Sequence, residues 1–205
     1  MPSTVFALAN QKGGVGKTTT AVNLAACLAD AGEQVLVVDL DPQANATSGL
    51  GERANGTSSY DLLDGAPLES LAKPTRFVNL HLGPLTVNAL AAADAVLVPV
   101  QAEYYALEGL AQLLDSVELV RRRLNPRLSV AGVLLTMVDR RTRLAGEVEA
   151  DVRKHLGGLV FRTTVPRSVR LAEAPSHGLP VIAYDRRSAG AEAYWKVAME
   201  LAERS

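Results

Sequence analysis

A short apolar run, Thr4–Ala9, leads into Asn10-Gln11-Lys12-Gly13-Gly14-Val15-Gly16-Lys17-Thr18-Thr19-Thr20 and then into a helical pattern. This junction constrains the chain more than any other stretch. Glycines let successive backbone N–H groups turn inward around an anion, and the helix that follows aims its positive N-terminal end at the same point. Lys17 is placed to reach the β- and γ-phosphates of a nucleotide, and the Thr18 hydroxyl to ligate Mg²⁺. Gly13, Gly14, Val15, Gly16, Lys17, Thr18 and Thr19 form the expected cradle. Gln11 stands where the general pattern has its first glycine, and a second lysine, Lys12, precedes the glycines.

Short apolar runs alternate with helical patterns along the rest of the chain. Thr4–Ala9, Gln34–Leu40, Phe77–Leu82, Ala95–Val100, Val130–Val138, Leu159–Val165 and Val181–Tyr184 read as strands. Most are rich in Val and Leu without polar alternation, as strands covered on both faces are. Gly16–Ala31, Ala106–Leu124, Leu144–Leu156 and Gly190–Glu203 read as helices. The first stops at Gly32, a good C-cap. The second carries Leu107, Leu110, Leu113, Leu114, Val117 and Val120 at helical spacing. This alternation predicts an α/β fold with a doubly wound, mostly parallel sheet flanked by helices. The 205 residues suit a single domain over 1–205. Residues Gly51–Lys73 are the least regular and read as a surface excursion.

Net charge is −1, so any nucleic-acid contact must come from a local patch. The one cysteine, Cys27, excludes a disulfide framework and a multi-cysteine cluster within one chain; it reads as a small core residue. The N-terminus does not look like a secretory signal, and no apolar run is long enough to span a bilayer. A cytoplasmic location is expected.

The run Val35-Leu36-Val37-Val38-Asp39-Leu40-Asp41-Pro42-Gln43 ends in aspartates two residues apart, whose side chains leave an extended chain on the same side. Beside the first strand they would face the phosphates, where carboxylates hold Mg²⁺ or its waters and orient an attacking water.

Together, K-G-G-V-G-K-T-T-T and V-D-L-D-P-Q-A-N-A-T-S-G-L-G resemble the ParA/Soj partition ATPases. Further matches run in the family's order from Val5 to Tyr194: L-T-V-N-A-L, V-P-V-Q-A-E-Y-Y-A-L-E-G-L, G-V-L-L-T-M-V-D, V-P-R-S-V-R-L-A-E-A-P-S-H-G and G-A-E-A-Y. The resemblance implies a deviant Walker loop at Lys12–Thr19, with ATP or ADP and Mg²⁺ as ligands. It implies a sandwich homodimer formed with ATP, in which Lys12 reaches the partner's phosphates. It further implies non-specific DNA binding, a nucleoid-associated location, and hydrolysis triggered by a ParB/Spo0J-type partner. Carried onto this chain, Lys12, Lys17 and Asp41 are the catalytic residues. Thr18, Asp39 and Asp41 serve the metal. Pro166 and Arg167 lie where the family places its adenine-side loop, and Arg141 and Arg170 match positions used for DNA. Arg140 and Arg143 flank the first of these arginines, whereas Arg121-Arg122-Arg123 ends a helix, where it complements the dipole.

One departure stands out. After a strand resembling Val78–Leu82 the family has a helical region and then a Walker B strand ending in Asp-x-Pro-Pro. Here Leu82-Gly83-Pro84 runs straight into Leu85-Thr86-Val87-Asn88, and that aspartate is absent. Three accounts fit: the sequence omits a segment, the protein is a natural or built deletion, or Phe77–Leu82 takes the vacated position. A true loss predicts weak or absent hydrolysis with some nucleotide binding retained. Two alternatives share the fold. A MinD-like membrane-associated ATPase needs a basic amphipathic C-terminal helix, and Ala198–Ser205 has no basic tail, so stable membrane association is not expected. A nucleotide-binding, hydrolysis-impaired regulatory module is favoured only by the missing aspartate.

Overall fold

The computed structural model describes residues 3–39, 41, 43–52, 73–75, 80–83, 89–103 and 106–204. They gather into two compact units. One comprises Met1–Lys17, Asn88–Arg167 and Met199–Ser205, the other Thr18–Val87 and Ser168–Ala198.

In the first unit, β1 (Phe6–Leu8), β5 (Ala95–Gln101) and β6 (Ser129–Thr136) form a parallel sheet in the order β1-β5-β6. Phe6 lies opposite Ala95, and Gln101 opposite Thr136. The middle strand is apolar and buried from Ala95 to Val100, as a strand covered on both faces requires, and ends in the half-buried Gln101. Helix α3 (Ala89–Ala92) precedes β5; α4 (Ala106–Arg123) and α5 (Arg143–Leu156) follow β5 and β6. Leu110, Leu113 and Val117 of α4 and Val148 and Val152 of α5 join Val96, Val98, Val133 and Leu135 in one core. Each such Val or Leu contributes about 1.5–3 kcal/mol when fully buried. Thr142 caps α5 by accepting from the Ala145 N–H at 3.4 Å. In the last turn of α4, Arg121 and Arg122 both reach Glu118, at 2.7 Å each.

In the second unit, β2 (Val35–Val38) pairs in parallel with β4 (Leu80–Gly83), and β4 pairs antiparallel with β3 (Lys73–Pro74). Helix α1 (Lys17–Asp30) buries residues on most of its faces, Val22, Ala25, Ala26 and Cys27 among them, and its small side chains permit that. It ends as expected at Gly32, whose φ of 101° suits only glycine. Val22, Ala25 and Ala29 pack with Val37 of β2 and with Ala46 and Leu50 at α2 (Asn45–Gly49). Further along are α6 (Val169–Glu173), α7 (Val181–Tyr184) and α8 (Ala189–Arg204), whose residues from Met199 on count with the first unit. A buried hydrogen bond of 3.1 Å joins Thr20 Oγ1 of α1 to the Tyr194 hydroxyl of α8.

Two expected strands take other forms. Val181–Tyr184 is the helical turn α7: Pro180 supplies the acceptor for the Ala183 and Tyr184 N–H groups, at 3.0 Å each. The Val181 N–H, which a strand would give to a neighbour, goes to Asn23 Oδ1 at 2.6 Å. Leu159–Val165 forms no continuous ladder with β6: Val160 bridges Val133, the Phe161 and Val165 N–H groups donate to Val133 O and Leu135 O at 2.9 and 2.8 Å, and just beyond both segments Pro166 bridges Val138. The interruption has a local cause: Arg162 and Thr163 give their N–H groups to the Glu200 carboxylate, at 2.7 and 3.1 Å. Phe161 lies so close to Gly132 that a Cβ there would sit 2.5 Å from its ring. Of Phe77–Leu82, pairing is described from Leu80 onward, and β4 bonds to β2 and β3 rather than to β1. Most of Gly51–Lys73 lies outside the described residues.

Candidate functional site

The phosphate loop leaves β1 at Leu8 and is fixed from three sides within its own unit. Asn10 Nδ2 donates to Pro99 O at 2.8 Å, and Asn10 Oδ1 accepts the Lys12 N–H at 2.9 Å. Thr136, at the end of β6, donates its buried hydroxyl to Val15 O at 2.8 Å. Gly14 and Gly16 have φ of 75° and 88°, which side chains other than glycine's adopt only with strain. A Cβ at Gly13 or Gly14 would meet nothing within 4 Å, so no other part of the described chain crowds the main chain there. Lys17 folds back over the loop and donates Nζ to Lys12 O at 3.1 Å. Turned, uncrowded main chain and a cation across it make a fit to a polyphosphate.

Lys12 is held within its own chain: its Nζ is 2.8 Å from Glu103 Oε2, and Gln101 donates to the other oxygen of the same carboxylate. Both members of the ion pair are about half exposed, so the pair is worth little, about 0–1 kcal/mol, and is readily exchanged. Pro166 and Arg167 belong to the same unit as the loop. The Arg167 N–H donates to Val138 O at 3.2 Å, just beyond the strand end that carries Thr136.

Thr18, Thr19, Asp39 and Asp41 belong to the second unit. Asp39 is engaged on both oxygens: Oδ1 accepts the Asp41 N–H at 3.2 Å, and Oδ2 accepts the N–H and hydroxyl of Thr47 at 2.8 and 2.9 Å. Asp41 is exposed and accepts the Gln43 N–H at 3.0 Å, beside Ala44 in the left-handed region at φ 51°. A cavity of about 420 Å³ opens against the first turn of α1, lined by Thr18, Thr19, Asn45, Ser48 and Ser176 among others.

The two arginines matched to DNA contact fall in different units, and both are paired. Arg141 forks onto Asp139, with Nε to Oδ1 at 2.8 Å and Nη2 to Oδ2 at 2.7 Å. Its guanidinium holds the Asp139 carboxyl down at about 2. Arg170 reaches Glu173 at 3.0 Å and Asp185 at 3.3 Å and lies over the Tyr184 ring. Sequence reasoning did not single out Asn10, Glu103, Thr136 or Asp139. All four lie inside quoted stretches, yet only the paired strands show what Thr136 touches.

Residues 6–181 match the family described as the CobQ/CobB/MinD/ParA nucleotide binding domain. The chromosome-partitioning ATPase Soj of Thermus thermophilus is 51% identical over 238 residues, covering 97% of this chain and 95% of the relative. The chain belongs to the Soj/ParA family of chromosome-partitioning ATPases.

Other Soj/ParA proteins agree. The sporulation initiation inhibitor protein Soj of Bacillus subtilis is 46% identical, covering 97% of this chain and 98% of its own. ParA of Caulobacter vibrioides is 43% identical, covering 99% and 95%. Among solved structures, cobyrinic acid a,c-diamide synthase of Mycobacterium smegmatis, with bound ADP and magnesium, matches at a TM-score of 0.80 and 27% identity. It covers 97% of this chain and 93% of its own. The cell division ATPase MinD of Pyrococcus furiosus matches at 0.81 and 19% identity over the whole of both chains, which bears on the fold alone. For this Soj/ParA member, no helix among the described residues is long and apolar enough to cross a membrane.

Proposed function

We propose that this Soj/ParA member is an ATP-driven partition switch whose nucleotide state controls pairing of two chains and binding to DNA. The observation that carries the reading is the loop itself: Gly14 and Gly16 turned by positive φ, Val15 pinned by Thr136, and Lys17 lying across the opening. The main chain of Gly13–Thr19 and the Lys17 ammonium would hold the phosphates of ATP or ADP. Thr18, Asp39 and Asp41 would serve Mg²⁺, which supplies charge neutralisation at the transferring phosphoryl group. Asp39 fixes the loop that carries Asp41 by gripping Thr47, and Asp41 orients the hydrolytic water. Pro166 and Arg167 flank the base. Lys12 leaves Glu103 for a second chain's phosphate, so the dimer depends on a terminal phosphate being present to neutralise it.

DNA is the second ligand in this reading, held without sequence preference by Arg141 and Arg170 and their copies in the dimer. Phosphate contacts of this kind are salt-sensitive, and doubling them by dimerisation raises affinity by avidity. A ParB-type partner stimulates hydrolysis, and the protein works in the cytoplasm on the nucleoid without stable membrane association.

Hydrolysis in this chain is proposed to be impaired. Its alignment to the Thermus relative runs over 238 positions against 205 residues here, so part of the relative has no counterpart. We place the gap at Leu82–Pro84. Leu36 and Val38, on the same side of the edge strand β2, are each 41% exposed, in keeping with the loss of a segment that covered them. The test is ATP turnover with and without DNA, alongside calorimetry with MgATP, on protein of verified intact mass. Micromolar binding with turnover far below that of full-length Soj is expected. No nucleotide uptake by folded protein would sink the reading, and full turnover would refute the impairment.

A further inference from the structure

We propose that Asp139 is an internal competitor for the DNA phosphate, occupying the Arg141 fork until several phosphates arrive together. The inference rests on the DNA-binding reading of Arg141 given above.

A guanidinium fork recognises carboxylate and phosphate by the same two parallel N–H···O bonds. Asp139 fills that fork completely, at 2.8 and 2.7 Å, although Arg141 is 88% exposed and free in space to turn elsewhere. Asp139 itself is only 22% exposed and is fixed by its turn. Its Oδ1 also accepts the Arg141 N–H at 3.1 Å, and its carbonyl accepts the N–H and hydroxyl of Thr142, at 3.0 and 2.9 Å. The fixed partner is therefore the acid and the movable one the base. Departure of the guanidinium would not strand the carboxylate, because the Arg141 N–H remains on it and Arg167 lies near enough to lower its pKa. Arg140, next in sequence, has no ion-pair partner among the described residues, so pairing is not simply the rule for this loop. In the other unit Arg170 repeats the arrangement with Glu173 and Asp185.

One phosphate gains little by exchanging with a carboxylate of equal geometry. A lattice of phosphates meeting both arginines of two chains gains by avidity, and Asp139 thus sharpens the difference between one chain and two.

The test is fluorescence anisotropy with a random-sequence duplex and ATP, on wild type, Asp139→Asn, Arg141→Ala, Arg141→Lys and the double variant Asp139→Asn/Arg141→Ala. Asparagine keeps the turn acceptor, and thermal melting checks each fold. Asp139→Asn is expected to tighten binding about threefold to fivefold, the range an exposed ion pair supports. The gain should vanish in the Arg141→Ala background. Lysine cannot make the fork to carboxylate or to phosphate, so Arg141→Lys should bind no tighter than wild type, and tighter binding would overturn the proposal. An equal gain from Asp139→Asn with Arg141 absent would show a general charge effect and overturn the proposal. So would no gain, provided Arg141→Ala still loses affinity. If Arg141→Ala binds DNA like wild type, the DNA reading itself fails.

Discussion

The hydroxyl of Thr136 donates to the carbonyl oxygen of Val15 at 2.8 Å, in a buried contact between residues 121 positions apart. It ties the end of β6 to the middle of the phosphate loop. Thr136→Val keeps the shape and removes the donor, leaving a buried carbonyl without its partner at a cost of about 1–3 kcal/mol. We expect nucleotide affinity to fall about tenfold, equivalent to 1.4 kcal/mol, with Thr136→Ser close to wild type. Calorimetry with MgADP decides it. Equal affinity in all three proteins would show that the loop needs no such tie.

Glu200 is 4% exposed. Burial pushes its carboxyl up, but the Arg162 and Thr163 N–H groups and Arg204 outweigh this and set it below the ordinary range. Its stabilisation is complete above the unfolded value, about 4.3, and is lost as pH falls through the lower folded value. Glu200→Gln should cost about 1–3 kcal/mol at pH 7. The gap from wild type should close in acid, as urea melts at pH 7 and below pH 4 would show. A gap that is constant with pH would mean the charge does not matter.

Cys27 is fully buried. Burial first, and the nearby Asp30 second, push its thiol up to about 12, with Arg186 countering only in part. The thiolate is the reactive form, so a thiol reagent at pH 8 should label the protein only as it unfolds. Rapid labelling of native protein would place Cys27 on a mobile surface instead.

Asn23 uses both ends of its amide, accepting the Val181 N–H at 2.6 Å and donating to Thr19 O at 2.8 Å. Asn23→Ala leaves the Val181 N–H buried and unpaired, which should lower stability by about 1–3 kcal/mol. Chemical denaturation measures it, and a change within error would show that water replaces the amide.

The loop was legible because its information is local: glycines at turned positions and a lysine at the helix entrance lie within a dozen residues. The helices α1, α4, α5 and α8 were legible for the same reason, through long periodic patterns. Val181–Tyr184 was not, since four apolar residues fit a strand or a buried helical turn equally well. What settled it was Asn23, far away in sequence. Leu159–Val165 likewise has strand composition, but its ladder is broken by a carboxylate 37 and 38 positions further on. Arg141 was recognisable as a cation near the end of β6. Its choice between Asp139 and a phosphate is a matter of competing affinities, which no spacing encodes.

The unit that carries the phosphate loop is assembled from three separated stretches, Met1–Lys17, Asn88–Arg167 and Met199–Ser205. The last stretch supplies Glu200 and Arg204. The latter reaches Gly158 O and Val160 O, at 3.1 and 3.0 Å, and stacks 4.3 Å from the Phe161 ring. During synthesis, then, the nucleotide cradle is made well before a stretch that braces its own unit. A ribosome-bound chain halted before Met199 carries the whole loop sequence yet lacks the anchor for the segment after α5. That segment gains its anchor only once Glu200 and Arg204 have been made, long after the loop itself.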